Sequence, residues 1–287
     1  MHPSSLVYLN GAFMPATEAK VSVLDRGFLF ADGVYEVIPV YGGHLFRLEH
    51  HLQRLDDSLA GIRLANPLSH EAWRTLLEEL VRRNGDGDQS LYLQVTRGVA
   101  KRDHAFPAAV EPTVFAMSSP LLEPAEQVRR EGVAAITVED IRWKLCHIKS
   151  IALLPNVLLR QHAVEAGAAE AILVRGEQVT EAAASNVFAV LNGIIVTPPK
   201  SALLLPGITR DLVVELAREH DLPLREDILL ADDLPDADEI WLTSSTREVT
   251  AVTRLDGHPV GSGKPGPMWA RITELYRAYK ARLRAGG

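Results

Sequence analysis

Residues 146–156 read CHIKSIALLPN, and Lys149 stands there in a nearly uncharged run. Burying an ammonium is costly unless it is paired or loses its charge. Two placements meet that constraint. The amine either snorkels into water from a loop or sheet edge, or it is set to form a Schiff base with a carbonyl. A second candidate is Glu181 in VTEAAASNVF (179–188), between a strand-like approach and a run of small residues followed by Ser185-Asn186. Small residues let a backbone or a flat ligand come close, and a carboxylate held there can accept a proton from a ring nitrogen. An exposed glutamate at a strand end has the same local sequence.

Three further stretches could bind anions. LLLPGITRDLVVEL (203–216) puts a Pro206-Gly207 turn before an amphipathic helix opened by Ile208-Thr209. Free N–H groups and the Thr209 hydroxyl at that helix start suit a phosphate, or Thr209 simply caps the helix. LTSSTREV (242–249) lines up four hydroxyls, Thr243 to Thr246, as anion donors or as an ordinary turn. RGVAKRDHAFP (97–107) sets Arg102 and His104 two apart, on one side if the segment is extended. Such a pair can clamp a carboxylate, and a solvated loop pair looks alike. Arg54 lies off the apolar stripe of its helix, so the pattern alone reads it as solvated.

The elements that must position these groups follow from periodicity. Hairpins are predicted over 6–14, turning at Asn10-Gly11, and over 34–46, turning at Gly42-Gly43. Leu48, Leu52, Leu55, Leu59 and Ile62 mark an amphipathic helix, and Trp73, Leu76, Leu77, Leu80 and Val81 a second over about 71–83. Strands are predicted over 90–98, 113–117, 133–139, 170–174, 187–190 and 194–197, and helices over about 155–166, 209–220 and 267–284. SSPLLEPAEQ (118–127) is the linker candidate, giving an α+β or α/β chain of two domains, 1–120 and 121–287.

Bulk composition narrows the function. The 287 residues carry a net charge of -7, so no basic surplus is available for phosphate backbones, and nucleic acid is not an expected partner. A single cysteine, Cys146, allows no internal disulfide and points to a reducing compartment. No apolar run reaches a membrane span, and the N-terminal stretch lacks a secretory pattern, so a cytoplasmic location is expected. GSGKPG (261–266) departs from phosphate-loop spacing, and the histidines show no metal-binding pattern, so no metal is expected.

Together these stretches resemble the fold-type IV pyridoxal-phosphate enzymes, most closely the D-amino acid aminotransferases. The resemblance rests on seven ordered motifs: DRGFLFADGVYEV (25–37), EHHLQRL (49–55), VTRGVAKRDHAFP (95–107), IKSIALLPNVL (148–158), VTEAAASNVF (179–188), LPGITR (205–210) and TSSTREV (243–249). It implies a two-domain fold, with a smaller N-terminal α/β domain and a larger C-terminal pseudo-barrel carrying most of the cofactor site. It implies pyridoxal 5'-phosphate held as a Schiff base on Lys149, with Glu181 as partner of the pyridine nitrogen. Arg54, Ile208, Thr209 and Ser245 match phosphate-binding positions, against the solvated reading of Arg54, and Ser185, Asn186, Leu205, Gly207 and Ser244 complete the cofactor set. Tyr35, Val37, Arg102 and His104 match substrate-binding positions, the last two reaching in from a second subunit of a homodimer.

The implied activity is ping-pong transamination between D-amino acids, such as D-alanine or D-glutamate, and 2-oxo acids such as 2-oxoglutarate or pyruvate. Branched-chain L-aminotransferases, (R)-amine transaminases and aminodeoxychorismate lyases share parts of the pattern. The first typically carries Gly-Asn-Tyr after the lysine, where this chain has SIALLPN. One departure stands out: Ala182-Ala183-Ala184 replaces the glycine and serines common in the family, removing a hydroxyl at position 184.

Overall fold

The computed structural model describes residues 5–286. They form two compact units: the first is residues up to 122 with 148–153 and 282 onward, and the second is 123–147 with 154–281.

The first unit is a sheet backed by helices. In chain order it contains β1 (Leu6–Leu9), β2 (Ala12–Pro15), α1 (Arg26–Phe30), β3 (Gly33–Tyr41), β4 (His44–Leu45), α2 (Leu48–Gly61), α3 (His70–Arg83), β5 (Gln89–Thr96) and β6 (Thr113–Pro120). The strands are ordered β2-β1-β6-β5-β3-β4 and every pair is antiparallel. Alternation along β3 sends Val34, Glu36, Ile38 and Val40 to the buried face and leaves Tyr35 and Val37 half-buried on the other. Val34, Ile38 and Val40 belong to one apolar cluster with Leu52, Leu55 and Leu59 of α2 and Trp73, Leu77 and Leu80 of α3. Each such side chain contributes roughly 1.5–3 kcal/mol on burial.

The second unit contains α4 (Glu126–Glu131), β7 (Val133–Glu139), α5 (Leu154–Glu165), β8 (Glu170–Arg175), β9 (Gln178–Ala182), β10 (Asn186–Leu191), β11 (Ile194–Thr197), α6 (Ile208–Glu219), β12 (Leu224–Glu226), β13 (Glu239–Ser244), β14 (Glu248–Leu255), β15 (His258–Pro259) and α7 (Pro267–Arg284). Its sheet runs β12-β11-β10-β13-β14-β7-β8-β9, with β15 on β14. Five steps separate β10 from β9, about 24 Å in a flat sheet. Only residues 183–185 join them, a connection reaching at most about 14 Å. The sheet must therefore curl, and Ala182 N–H bonds the Ser185 carbonyl at 2.7 Å where it does so. The outcome is the mixed α/β architecture with a curled half-barrel that the resemblance implies.

β8 reads as an uninterrupted apolar run because it is covered on both faces: Ile172 enters the cluster with Val187 and Leu242, while Ala171 and Leu173 pack with Leu159 and Ala163 of α5. The linker expectation over 118–127 is too broad. Ser118, Ser119 and Pro120 pair as strand residues with Leu91, Ser90 and Gln89, and α4 already begins at Glu126. Among the described residues no helix is long and apolar enough to cross a membrane.

Candidate active site

In the first unit the segment holding Lys149 is stitched along β3. Tyr35 N–H donates to the Lys149 carbonyl at 3.0 Å, Ile151 N–H to the Gly33 carbonyl at 3.0 Å, and Lys149 N–H to Ser58 Oγ at 3.1 Å. With the backbone fixed on both sides, Nζ stands 4.1 Å from the centroid of the Tyr35 ring. Tyr35 stacks on Tyr92 with centroids 5.6 Å apart, and Tyr92 Oη donates to Gln94 Oε1 at 2.7 Å. Burial, helped by Tyr35, pushes the Tyr92 phenol up to about 12. Lys149 is half-buried, and Leu154, Val157 and Leu158 further along the chain are exposed on α5.

Behind Tyr35, on the buried face, lies a charged cluster. The Glu36 carboxylate is fully buried and accepts from Arg54 Nε and Nη2, both at 2.7 Å. His51 Nδ1 lies 2.8 Å from it. Burial alone would raise the Glu36 carboxyl, but the Arg54 charge and the bonds from Arg54 and His51 hold it well below the usual range. Burial lowers His51, which stays neutral near pH 7. The pattern reading of Arg54 as solvated is thus corrected: the guanidinium is buried because Glu36 occupies a core register of β3 and neutralises it.

Arg102 and His104 sit exposed on the loop between β5 and β6, both against Phe30. The Arg102 guanidinium and the His104 ring each lie 5.4 Å from its centroid.

In the second unit Glu181 of β9 is buried and ringed by donors. Arg142 Nη1 reaches Oε1 at 2.5 Å, Asn186 Nδ2 reaches Oε2 at 3.1 Å, and Leu205 N–H bonds both oxygens at 3.1 Å. Arg142 is itself clamped by Asp140, Nε to Oδ1 at 2.9 Å and Nη2 to Oδ2 at 3.0 Å. Burial opposes the charge on Asp140, but Arg142 outweighs it and holds the carboxyl down. Asp140 and Arg142 escaped the sequence reading because EDIRWK carries no periodic signal.

Beside Glu181 the same unit builds an anion cradle. Asn186 Nδ2 also donates to the Leu205 carbonyl at 2.9 Å. Gly207 lies so close that a Cβ there would stand 2.0 Å from Asn186 Oδ1. α6 starts at the next residue with Gly207 as an N-cap that supplies no side-chain bond. Thr209 Oγ1, in the first turn, is buried and has no partner. Thr243, the ladder partner of Asn186, has a second buried hydroxyl without one. Thr209 therefore does not act as a simple cap, and two orphaned hydroxyls beside an uncapped helix start fit a phosphate.

The remaining candidates have local partners of their own. Ser185 Oγ donates to Glu170 Oε2 at 3.1 Å, and burial raises this fully buried carboxyl. Ser244 and Ser245 lie half-buried at the β13–β14 turn, where Arg247 N–H donates to Ser244 Oγ at 3.3 Å. That turn is tied down by Arg247 to Glu170 at 3.4 Å and by Lys280 of α7 to Glu248. Ala184 is exposed. GSGKPG precedes α7 and serves packing: a Cβ on Gly266 would meet the Glu239 carboxylate at 2.1 Å.

The family model for class IV amino-transferases matches residues 33–255. The chain is 45% identical to a D-alanine aminotransferase of Bacillus licheniformis over 266 residues, covering 93% of this chain and 94% of that one. It is 42% identical to the D-alanine aminotransferase of Staphylococcus aureus strain COL, covering 95% and 97%. Among solved structures, an Escherichia coli branched-chain amino acid aminotransferase superposes with a TM-score of 0.92 at 26% identity, covering 96% of this chain and 94% of that one. The branched-chain aminotransferase of the archaeon Thermoproteus uzoniensis, solved with norvaline, gives 0.89 at 27%, covering 96% and 95%. The chain belongs to the class IV amino-transferase family.

Proposed function

We propose that the protein is a pyridoxal-phosphate-dependent D-amino acid aminotransferase that moves an amino group between D-amino acids, such as D-alanine or D-glutamate, and 2-oxo acids. The single observation that carries this reading is 41–45% identity to D-alanine aminotransferases along nearly the whole chain. The branched-chain reading rests on fold similarity at 26–30% identity, below the identity to the D-alanine enzymes.

When bound, pyridoxal 5'-phosphate supplies an electron sink for the carbanion formed at the substrate Cα. Lys149 is the Schiff-base lysine of this reading, and its Nζ carries the proton to and from Cα as general base and acid. The Tyr35 ring packs against that amine, its centroid 4.1 Å from Nζ. Glu181 accepts from the pyridine N–H, with Arg142, Asn186 and the Leu205 N–H fixing its two oxygens. The helix start at Gly207–Thr209, with Thr243 and Ser245, would bind the phosphate, and Arg54 is the further phosphate position of this reading, its charge shared with Glu36. Ser185, Asn186, Leu205 and Ser244 line the cofactor, and Val37 borders the substrate.

Tyr35, Arg102 and His104 hold the substrate α-carboxylate, the last two from the second subunit of a homodimer. Exposed Val23, Leu24, Phe28, Val99 and Phe106 in the same unit give that second copy an apolar surface to cover. The single cysteine suits a cytoplasmic enzyme.

The test supplies cofactor-loaded protein with 2-oxoglutarate and either D-alanine, L-leucine or (R)-1-phenylethylamine. Pyruvate from D-alanine, with no turnover of L-leucine, is expected. Turnover of L-leucine without D-alanine would overturn the reading.

A further inference from the structure

The loop that carries Arg102 and His104 is clamped from behind by groups the reaction itself does not use. Arg26, at the start of α1, is buried and donates from Nη1 to the carbonyls of Asp103 at 2.6 Å and Ala105 at 3.4 Å, the residues on either side of His104. Its Nε binds Asp32 Oδ2 at 2.8 Å, and Arg97 Nε binds the same oxygen at 2.8 Å. Arg97 also donates to the Ile62 carbonyl at 2.6 Å and the Arg63 carbonyl at 3.3 Å, and its guanidinium stands 3.8 Å over the Phe106 ring. One carboxylate thus fixes two arginines that grip the loop at 103, 105 and 106.

Phe30 closes the arrangement. Its ring has Arg26 at 4.9 Å, Arg102 at 5.4 Å and the His104 ring at 5.4 Å. Arg102 and His104 are exposed, with no carboxylate bonded to either among the described residues, so Phe30 is what sets their direction. A guanidinium and an imidazole turned outward side by side, on a backbone held from the rear, are prepared for an anion at little further ordering cost.

We propose that Arg26, Asp32 and Phe30 are positioning residues that hold the Arg102/His104 pair in the geometry that receives a carboxylate. This rests on the reading of Arg102 and His104 as α-carboxylate ligands. Arg97 anchors the hub to the body of the unit. Arg26 matters most, because only a planar fork reaches a carboxylate and two backbone carbonyls at once. A lysine keeps the charge and loses that span. If the loop moves freely, the competent arrangement is a fraction of the population, and apparent substrate affinity falls by that fraction.

The experiment compares Arg26→Lys, Phe30→Leu, Phe30→Tyr and Arg102→Leu as holoenzymes with D-alanine and 2-oxoglutarate. A second readout is the rate of trypsin cleavage after Lys101 and Arg102 in wild type and in the Arg26 and Phe30 variants. Arg26→Lys and Phe30→Leu are expected to raise KM about tenfold with kcat changed less than about twofold, and to speed cleavage. Phe30→Tyr keeps the ring and should behave as wild type. The proposal is overturned if Arg102→Leu raises KM while Arg26→Lys and Phe30→Leu leave KM and cleavage unchanged. It is equally overturned if these variants lower kcat as much as they raise KM, which is general loss of structure. If Arg102→Leu itself leaves KM unchanged, the carboxylate reading fails, and cleavage alone decides whether the clamp exists.

Discussion

Replacing Glu36 with glutamine tests the charged cluster behind Tyr35. Glu36 is 0% exposed and Arg54 5%, so the substitution leaves a buried guanidinium facing a neutral amide. Removing one partner of a buried pair costs about 3–5 kcal/mol. Glutamine keeps the shape and one acceptor oxygen, which retains part of the hydrogen bonding, so a loss of about 3 kcal/mol is expected. At roughly 2–4 °C per kcal/mol for a chain of this size, the melting temperature falls by about 6–12 °C. The measurement is thermal and urea unfolding of wild type and E36Q at pH 7.5, where His51 is neutral whether folded or not.

The pH dependence of that gap carries the sign. The folded-state carboxyl of Glu36 is depressed, so its contribution is fully present above the ordinary glutamate value, about 4.3, and is lost as pH falls toward the depressed value. The Glu36 part of the gap should therefore hold from pH 7.5 to 5 and shrink below about 4.3, while His51, whose charged form Glu36 favours, adds its own change to the gap as the unfolded imidazole titrates near 6.5. A glutamine variant within about 1 kcal/mol of wild type at pH 7.5 would refute the argument.

Lys149→Ala should lower the D-alanine half-reaction by about 10³-fold or more and abolish covalent trapping of the cofactor by borohydride; trapping at an unchanged level, read by mass spectrometry, would remove Lys149 from its role. Thr209→Val should act with opposite signs on two forms of the protein. The cofactor-free protein should gain roughly 1 kcal/mol because an unpaired buried hydroxyl is gone, while cofactor binding, read by fluorescence titration, should weaken about tenfold through loss of a bond to a charged group. Glu239→Ala should cost roughly 2–4 kcal/mol in urea unfolding. Its carboxylate accepts from Met268 N–H at 2.9 Å, Trp269 N–H at 2.8 Å and Trp241 Nε1 at 2.8 Å, capping α7 from the sheet.

What the sequence discloses follows the range of each force. Helices α2, α3 and α6 are legible because their apolar faces repeat every three to four residues, and the 6–14 hairpin because Asn10 and Gly11 both adopt positive φ at its turn. The curl of the second sheet is not legible, since it depends on β9 and β10 being adjacent in sequence yet five strands apart in the ladder. The same limit applies to the site. Local context offers Thr209 and Glu181 as candidates beside a bland reading of each, whereas Asp140, Arg142 and Glu170 draw their place in the site from partners 15 to 77 residues away.

Arg54 is the instructive case, because the signal was present and lay in a different element. On α2 the buried residues include His51, Arg54 and Ser58 beside Leu52, Leu55 and Leu59, a stripe wider than its leucines. On β3, Glu36 shares a register with Val34, Ile38 and Val40, so strict alternation sends a carboxylate into the core. A carboxylate in a core register demands a buried cation, and the helix that next covers that face offers one at Arg54. Pairing each charge out of place in one element with a polar residue at the margin of the next apolar stripe would have predicted the Glu36–Arg54 bond before any coordinate was known.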